Sequence, residues 1–94
     1  MNTYQLFMGR NVPGGGYVDD FKFNKFLHIV DTIVDGYTVQ NVQGVWKGEH
    51  ENTKLMTICT DDVEAVYEIA RTYKNAFNQD SVAVQVLPTT MEFV

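Results

Sequence analysis

Apolar residues along this chain change between the spacing of a strand and the spacing of a helix, and this order limits the folds it can adopt. Tyr4, Leu6 and Met8 share one face of the stretch 3–8, which predicts a first strand. A loop follows, and Asp19 or Asp20 is then placed to cap a helix. The helix is predicted from apolar residues at i, i+3, i+4 and i+7 spacing: Phe23, Phe26, Leu27, Val30, Ile33 and Val34.

The rest of the chain adds three strands and a second helix. Gly36 is placed to end the first helix in a left-handed conformation. Asp61 and Glu64 form a capping-box pattern, which predicts that a second amphipathic helix follows. A polar turn is expected at 47–52. Strands are predicted where β-branched and aromatic residues are frequent, at 37–46, 53–60 and 81–87.

The resulting order, βαββαβ, predicts an α+β ferredoxin-like sandwich, in which an antiparallel four-stranded sheet carries two helices on one face. The 94 residues are expected to form a single domain, 1–94, because two cores would each be close to the lower limit for folding unaided. Two helices leave one face of the sheet open. We expect Phe7, Trp46, Met56 and Ile58 on that face, an apolar surface large enough to favour association with further copies.

Composition and charge argue against several classes of function. Twelve acidic residues against seven Lys and Arg give a net charge of −5, which disfavours binding to a nucleic-acid backbone. No apolar run approaches the roughly 20 residues of a membrane span, and the start lacks the pattern of a signal peptide. The single cysteine, Cys59, fits a reducing compartment. We therefore expect a cytoplasmic protein that binds neither nucleic acid nor membrane.

Metal and phosphate sites are weakly indicated. His28, His50 and Cys59 lack the spacing of zinc ligands, so we predict no metal site. The glycine run 14–16 lacks the Lys-Ser/Thr of a P-loop and is interpreted as a flexible loop that could cover a ligand.

An acidic segment, Glu49-His50-Glu51, is the more informative feature. One interpretation is a solvated hairpin tip; the other is recognition of an ammonium or sulfonium group, since Trp46 and Tyr37 are near in sequence and aromatic faces attract cations. Gln79 and Asp80 are interpreted as turn residues, or Asp80 as a residue that hydrogen-bonds a ligand hydroxyl.

Several segments resemble the phage-encoded S-adenosylmethionine lyases, formerly described as hydrolases. They are Gly36-Tyr37-Thr38-Val39, Gly44-Val45-Trp46-Lys47-Gly48-Glu49, Asp61-Asp62-Val63-Glu64-Ala65, Ala70-Arg71 and Gln79-Asp80-Ser81-Val82-Ala83-Val84. A second, weaker similarity is to a small bacterial family of unknown function. It rests on Leu6-Phe7-Met8-Gly9-Arg10 with Pro13-Gly14-Gly15, and on Gly36-Tyr37-Thr38-Val39 and Gly44-x-Trp46.

The lyase resemblance implies a trimer with sites between subunits, acting in the host cytoplasm. It implies cleavage of S-adenosylmethionine to methylthioadenosine and homoserine lactone without metal or cofactor, which counteracts host restriction-modification. The alternative is a trimeric small-molecule-binding module of the PII-like kind without catalytic activity.

The resemblance also implies site residues. Trp46 stands where the family has a tyrosine, and Glu51, or Glu49 in its place, matches the carboxylate that would bind the substrate's α-ammonium. We expect Trp46 and Glu51 to be catalytic, and five residues to bind substrate: Tyr37, Glu49, Gln79, Asp80 and Arg10. Arg10, like Lys47, is expected to orient a carboxylate, from its charge and loop position.

Overall fold

A computed structural model describes all residues, 1–94. In chain order the elements are β1 (Asn2–Gly9), α1 (Asp20–Val30), β2 (Thr38–Trp46), β3 (Glu49–Thr60), α2 (Val63–Ala76) and β4 (Ala83–Pro88). The strands form one antiparallel sheet in the order β2-β3-β1-β4. The predicted ferredoxin-like α+β fold is confirmed. Neither helix is long and apolar enough to cross a membrane.

An aspartate caps the start of each helix, as predicted for α1 but one residue later than predicted for α2. Asp19 accepts a hydrogen bond from the Lys22 N–H at 2.8 Å, and Asp62, rather than Asp61, accepts one from the Ala65 N–H at 3.1 Å. The predicted glycine end of α1 is wrong. The helix stops at Val30, and its C-cap residue is right-handed, so Gly36 lies beyond the helix and does not adopt a positive φ.

The core fills the space between the sheet and its two helices. It consists mainly of the inward residues of β1 and β3 and the facing stripes of α1 and α2: Tyr4, Leu6, Met8, Met56, Ile58, Phe23, Phe26, Val30, Val66, Ile69 and Tyr73. The expectation that Met56 and Ile58 lie on the open face is wrong. Met56 pairs with Leu6 and Ile58 with Tyr4, so all four point toward the helices. The open face carries the opposite parity, including Phe7 and its partner Leu55.

The hairpin between β2 and β3 is shorter than predicted. Lys47 and Gly48, with φ of 51° and 80°, form the whole turn, so the acidic segment belongs to β3 and not to the hairpin tip. Glu49 pairs with Trp46 and Glu51 with Gly44. Because side chains alternate along a strand, both carboxylates share the open face with Trp46, whereas His50 points the other way.

Candidate functional site

A cleft of about 630 Å³ lies at one end of the open face. Its floor is the sheet, with Phe7, Gly44 and Ala83 from three different strands. Its walls are the loop after β1 and the segment before β4. Ligand sites of small molecules are commonly concavities of this size.

The charged side chains that line the cleft are all carboxylates: Glu49, Glu51 and Asp80. Trp46 stands beside them with 63% of its surface exposed, and the Lys47 ammonium lies 5.9 Å from the indole centroid. Carboxylates around an aromatic face attract cations and repel anions.

Glu51 is held in place by the backbone of the loop after β1. Its carboxylate accepts a hydrogen bond from the Asn11 N–H at 2.9 Å. It also packs directly on Gly9, where a Cβ would lie 2.6 Å from both carboxylate oxygens. The glycine therefore gives the Glu51 side chain the room for this position.

Two further side chains fix the same stretch of backbone. The Gln79 amide donates to the carbonyl of Asn11 at 3.0 Å and to that of Phe77 at 3.2 Å. The Tyr73 hydroxyl donates to the carbonyl of Gly9 at 2.6 Å, and burial raises the pKa of this phenol. The backbone from Gly9 to Asn11 is thus held by side chains from β3, from α2 and from the segment after α2.

The predicted glycine loop forms a hairpin beside the cleft. Asn11 and Tyr17 form an antiparallel bridge, and the Val12 N–H donates to the Gly16 carbonyl at 3.1 Å. The three glycines, 14–16, have φ of 88°, 120° and 107°, a region that L-residues rarely adopt. We call residues 12–16 the flap.

The structure brings five of the seven predicted site residues to the cleft: Trp46, Glu49, Glu51, Gln79 and Asp80. It does not bring Tyr37, which lies just before β2 and donates a hydrogen bond from its hydroxyl to Asp31. That bond to a carboxylate raises the pKa of Tyr37 to about 12.

Arg10 also lies outside the cleft lining, on the helix side of the sheet. Its guanidinium donates to the Val18 carbonyl at 2.8 Å and to Asp20 at 2.9 Å, and it stacks 4.7 Å from the Tyr17 ring centroid. The Lys54 ammonium lies 3.0 Å from the same Asp20 oxygen. The Lys54 ammonium first, and then the Arg10 charge, hold the pKa of Asp20 below its ordinary value of 3.8.

Gly9 and Asn11, whose backbone contacts Glu51 and Gln79, were not among the predicted site residues. Gly9 acts through the absence of a side chain and Asn11 through its backbone, so neither carries a side-chain signal. No group of three or more histidine, cysteine or acidic side chains is arranged to hold a metal ion.

Comparison with known proteins places the chain in a family. The family model described as protein of unknown function (DUF3574) matches residues 3–93. The chain belongs to this family. No curated protein matches it. Among solved structures, a phage SAM lyase in its apo state aligns over 99% of this chain and 91% of its own, with a TM-score of 0.69 and 18% identity. This alignment shows that the DUF3574 member and the lyase share a fold.

Proposed function

We propose that this protein binds S-adenosylmethionine in the cleft and cleaves it to methylthioadenosine and homoserine lactone. The observation that carries the proposal is the lining of the cleft, whose charged groups are three carboxylates placed beside Trp46. S-adenosylmethionine carries an ammonium and a sulfonium, so it suits such a site. The fold shared with a phage SAM lyase supports the same assignment.

Glu51 is the proposed acceptor for the ammonium. One of its oxygens, Oε2, accepts from Asn11, and a carboxylate has lone pairs for further donors. Glu49 lies two residues away on the same face and is the alternative. Trp46 is proposed to cover the ligand and exclude water. Asp80 and Gln79 line the opposite wall, and Asp80 is proposed to accept a hydrogen bond from a nucleoside hydroxyl.

The proposed reaction needs no base or nucleophile from the protein. A carboxylate oxygen of the substrate attacks its own γ-carbon, the bond from that carbon to sulfur breaks, and both bonding electrons stay on sulfur. The products are a neutral thioether and a lactone that keeps the ammonium, so no proton is transferred. Holding the folded substrate supplies the acceleration through orientation. Because charge is neutralised, a water-poor site favours the transition state.

The proposal includes assembly into a homo-oligomer, which we propose to be a trimer with its sites between subunits. Phe7 and Trp46 expose apolar surface on the face that the helices leave uncovered. The cleft opens on that same face, so a neighbouring subunit would lie close to it. Consumption of S-adenosylmethionine is proposed to occur in the cytoplasm, where it would deprive restriction-modification systems of their methyl donor.

A second candidate is a PII-like module that binds a small molecule without turning it over. The observation in its favour is that Glu51 and Gln79 both bond to the backbone of Asn11, which is consistent with a structural role for both.

Thermal unfolding with S-adenosylmethionine, with ATP and with buffer separates the candidates. A ligand at about 100 times its Kd stabilises the folded state by about 2.7 kcal/mol. We expect S-adenosylmethionine to raise Tm and ATP to leave it unchanged, because three carboxylates repel a triphosphate. Stabilisation by ATP alone would refute the lyase assignment and favour the PII-like module. For substitutions of the cleft carboxylates, the control is Glu68→Gln, which removes one acidic charge on the exposed side of α2, outside the cleft.

A further inference from the structure

We infer that Glu51 and Gln79 are positioning residues that hold the flap at the wall of the cleft by hydrogen-bonding to both backbone groups of Asn11. The Asn11 N–H donates to Glu51 at 2.9 Å, and the Asn11 carbonyl accepts from Gln79 at 3.0 Å. The two side chains come from β3 and from the segment after α2. The root of the flap is therefore tied to both sides of the cleft. What the flap covers rests on the proposed function; the anchoring does not.

The tip of the flap, Gly14 and Gly15, is exposed. A Cβ built on Gly14 or Gly15 would meet no atom within 4 Å, so both glycines have open space beside them. The bonds within the flap, such as Gly15 N–H to the Val12 carbonyl at 2.9 Å, define its shape but not its direction. Its direction is set where Val12 packs against the hydrophobic core, and at the root, where residues 11 and 17 pair.

The residues that follow the flap, Tyr17 and Val18, are held by Arg10 on the helix side of the sheet. Arg10 stacks on Tyr17 and bonds to the Val18 carbonyl, while the Val18 N–H donates to the Arg10 carbonyl at 2.7 Å. These contacts hold the strand that leaves the flap. Asn11 is exposed, so water would replace a lost side-chain partner there without breaking the fold. Loss of Glu51 or Gln79 should therefore loosen the flap locally.

The same carboxylate faces the cleft and anchors the flap, which couples the two. A cationic group that binds the Glu51 carboxylate shares that carboxylate with the Asn11 N–H. Binding in the cleft is then linked to the order of the flap, and each must influence the other by the same factor.

Substitutions separate anchoring from charge. Gln79→Met removes the donor to Asn11, and Glu51→Ala removes the acceptor. Glu51→Gln keeps an amide oxygen that still accepts from Asn11, so it should rescue the anchor without the charge. Gly9→Ala keeps the charge but displaces the carboxylate, because its Cβ would lie 2.6 Å from both oxygens. Gly36→Ala is the matched control, since a Cβ there meets nothing and φ is not positive.

The test is nitrogen-15 relaxation of the ligand-free protein, read at the amides of Asn11 and Val12. A rigid backbone has order parameters of about 0.85 and a flexible one falls below about 0.6. We expect Asn11 and Val12 to be rigid in the wild type and in Glu51→Gln and Gly36→Ala. We expect them to become flexible in Gln79→Met, Glu51→Ala and Gly9→Ala, with the β1 amides unchanged.

If the amides of Asn11 and Val12 stay rigid in Gln79→Met and Glu51→Ala, the inference is overturned. Loosening of the β1 amides to the same extent also overturns it, since the effect would then be global. The result stands apart from the proposed function. A wild type that leaves S-adenosylmethionine intact while Gln79→Met loosens the flap refutes the lyase and supports the anchor. If the wild type does cleave it, Gln79→Met should raise KM more than it lowers kcat.

Discussion

Glu51 and Asn11 lie 40 residues apart in sequence, and the carboxylate of the first accepts the backbone N–H of the second at 2.9 Å. This bond joins β3 to the flap at the edge of the cleft. A change at Glu51 therefore has two consequences, one for the charge of the cleft and one for the position of the flap.

Glu51→Gln isolates the first consequence, because the amide keeps the shape and the acceptor. A hydrogen bond to a charged group contributes about 1.5–3 kcal/mol, so we expect S-adenosylmethionine affinity to fall about 10- to 100-fold. Turnover of bound substrate should fall less, since the attacking group belongs to the substrate. Calorimetric titration measures the change, with Glu68→Gln as the control. An unchanged affinity would indicate that Glu49, rather than Glu51, binds the ammonium.

Trp46 is expected to contribute its aromatic face rather than a hydrogen bond. A cation over an aromatic ring is stabilised by about 0.5–2 kcal/mol, so Trp46→Ala should weaken S-adenosylmethionine binding about 2- to 30-fold. Trp46→Tyr should be milder, because it retains a ring. Titration of both variants, with their oligomeric state checked by light scattering, provides the comparison. Equal effects of the two substitutions would argue against an aromatic contact.

Asp20 should stabilise the fold in a pH-dependent manner. Its pKa lies below 3.8 in the folded protein because of Lys54 and Arg10, so its contribution is present above pH 3.8 and is lost as pH falls through the folded value. Asp20→Asn should therefore lower the free energy of unfolding at pH 7 and have a smaller effect at pH 3. Urea unfolding at both pH values measures it, with the exposed Asp35→Asn as the control. An effect that is equal at both pH values would contradict this ion-pair role.

The open face should carry the contacts between subunits. Phe7 lies on it and is 37% exposed, so Phe7→Lys places a charge within an interface expected to bury about 800 Å² per partner. We expect light scattering to show smaller species for this variant. Phe21→Lys is the matched control, because Phe21 is 69% exposed on α1, away from the open face. A wild type that is monomeric at micromolar concentration would refute both the oligomer and its intersubunit site.

The order of strands and helices was predictable because apolar spacing differs between the two. Which face of β3 meets the helices was not predictable, because Leu55 and Cys59 are apolar on one side and Met56 and Ile58 on the other. Only pairing with β1 decides which pair meets the helices. The hairpin was misjudged for a local reason. Lys47 adopts a φ of 51°, which disfavours most L-residues, so the sequence pointed to a longer turn.

The cleft was predictable in part. Trp46, Glu49 and Glu51 share a face because of the short turn, which the sequence did not reveal. Arg10 was expected to meet a ligand, yet Asp20 and the Val18 carbonyl hold its guanidinium on the helix side. Such competition between partners depends on tertiary distances that residue spacing does not contain.

Chromatography of S-adenosylmethionine incubated with the purified protein tests the central claim most directly. We predict that methylthioadenosine and homoserine lactone accumulate in equal amounts, and that EDTA leaves the rate unchanged because the proposed displacement uses no metal. Intact S-adenosylmethionine after incubation with folded, oligomeric protein would contradict the lyase assignment.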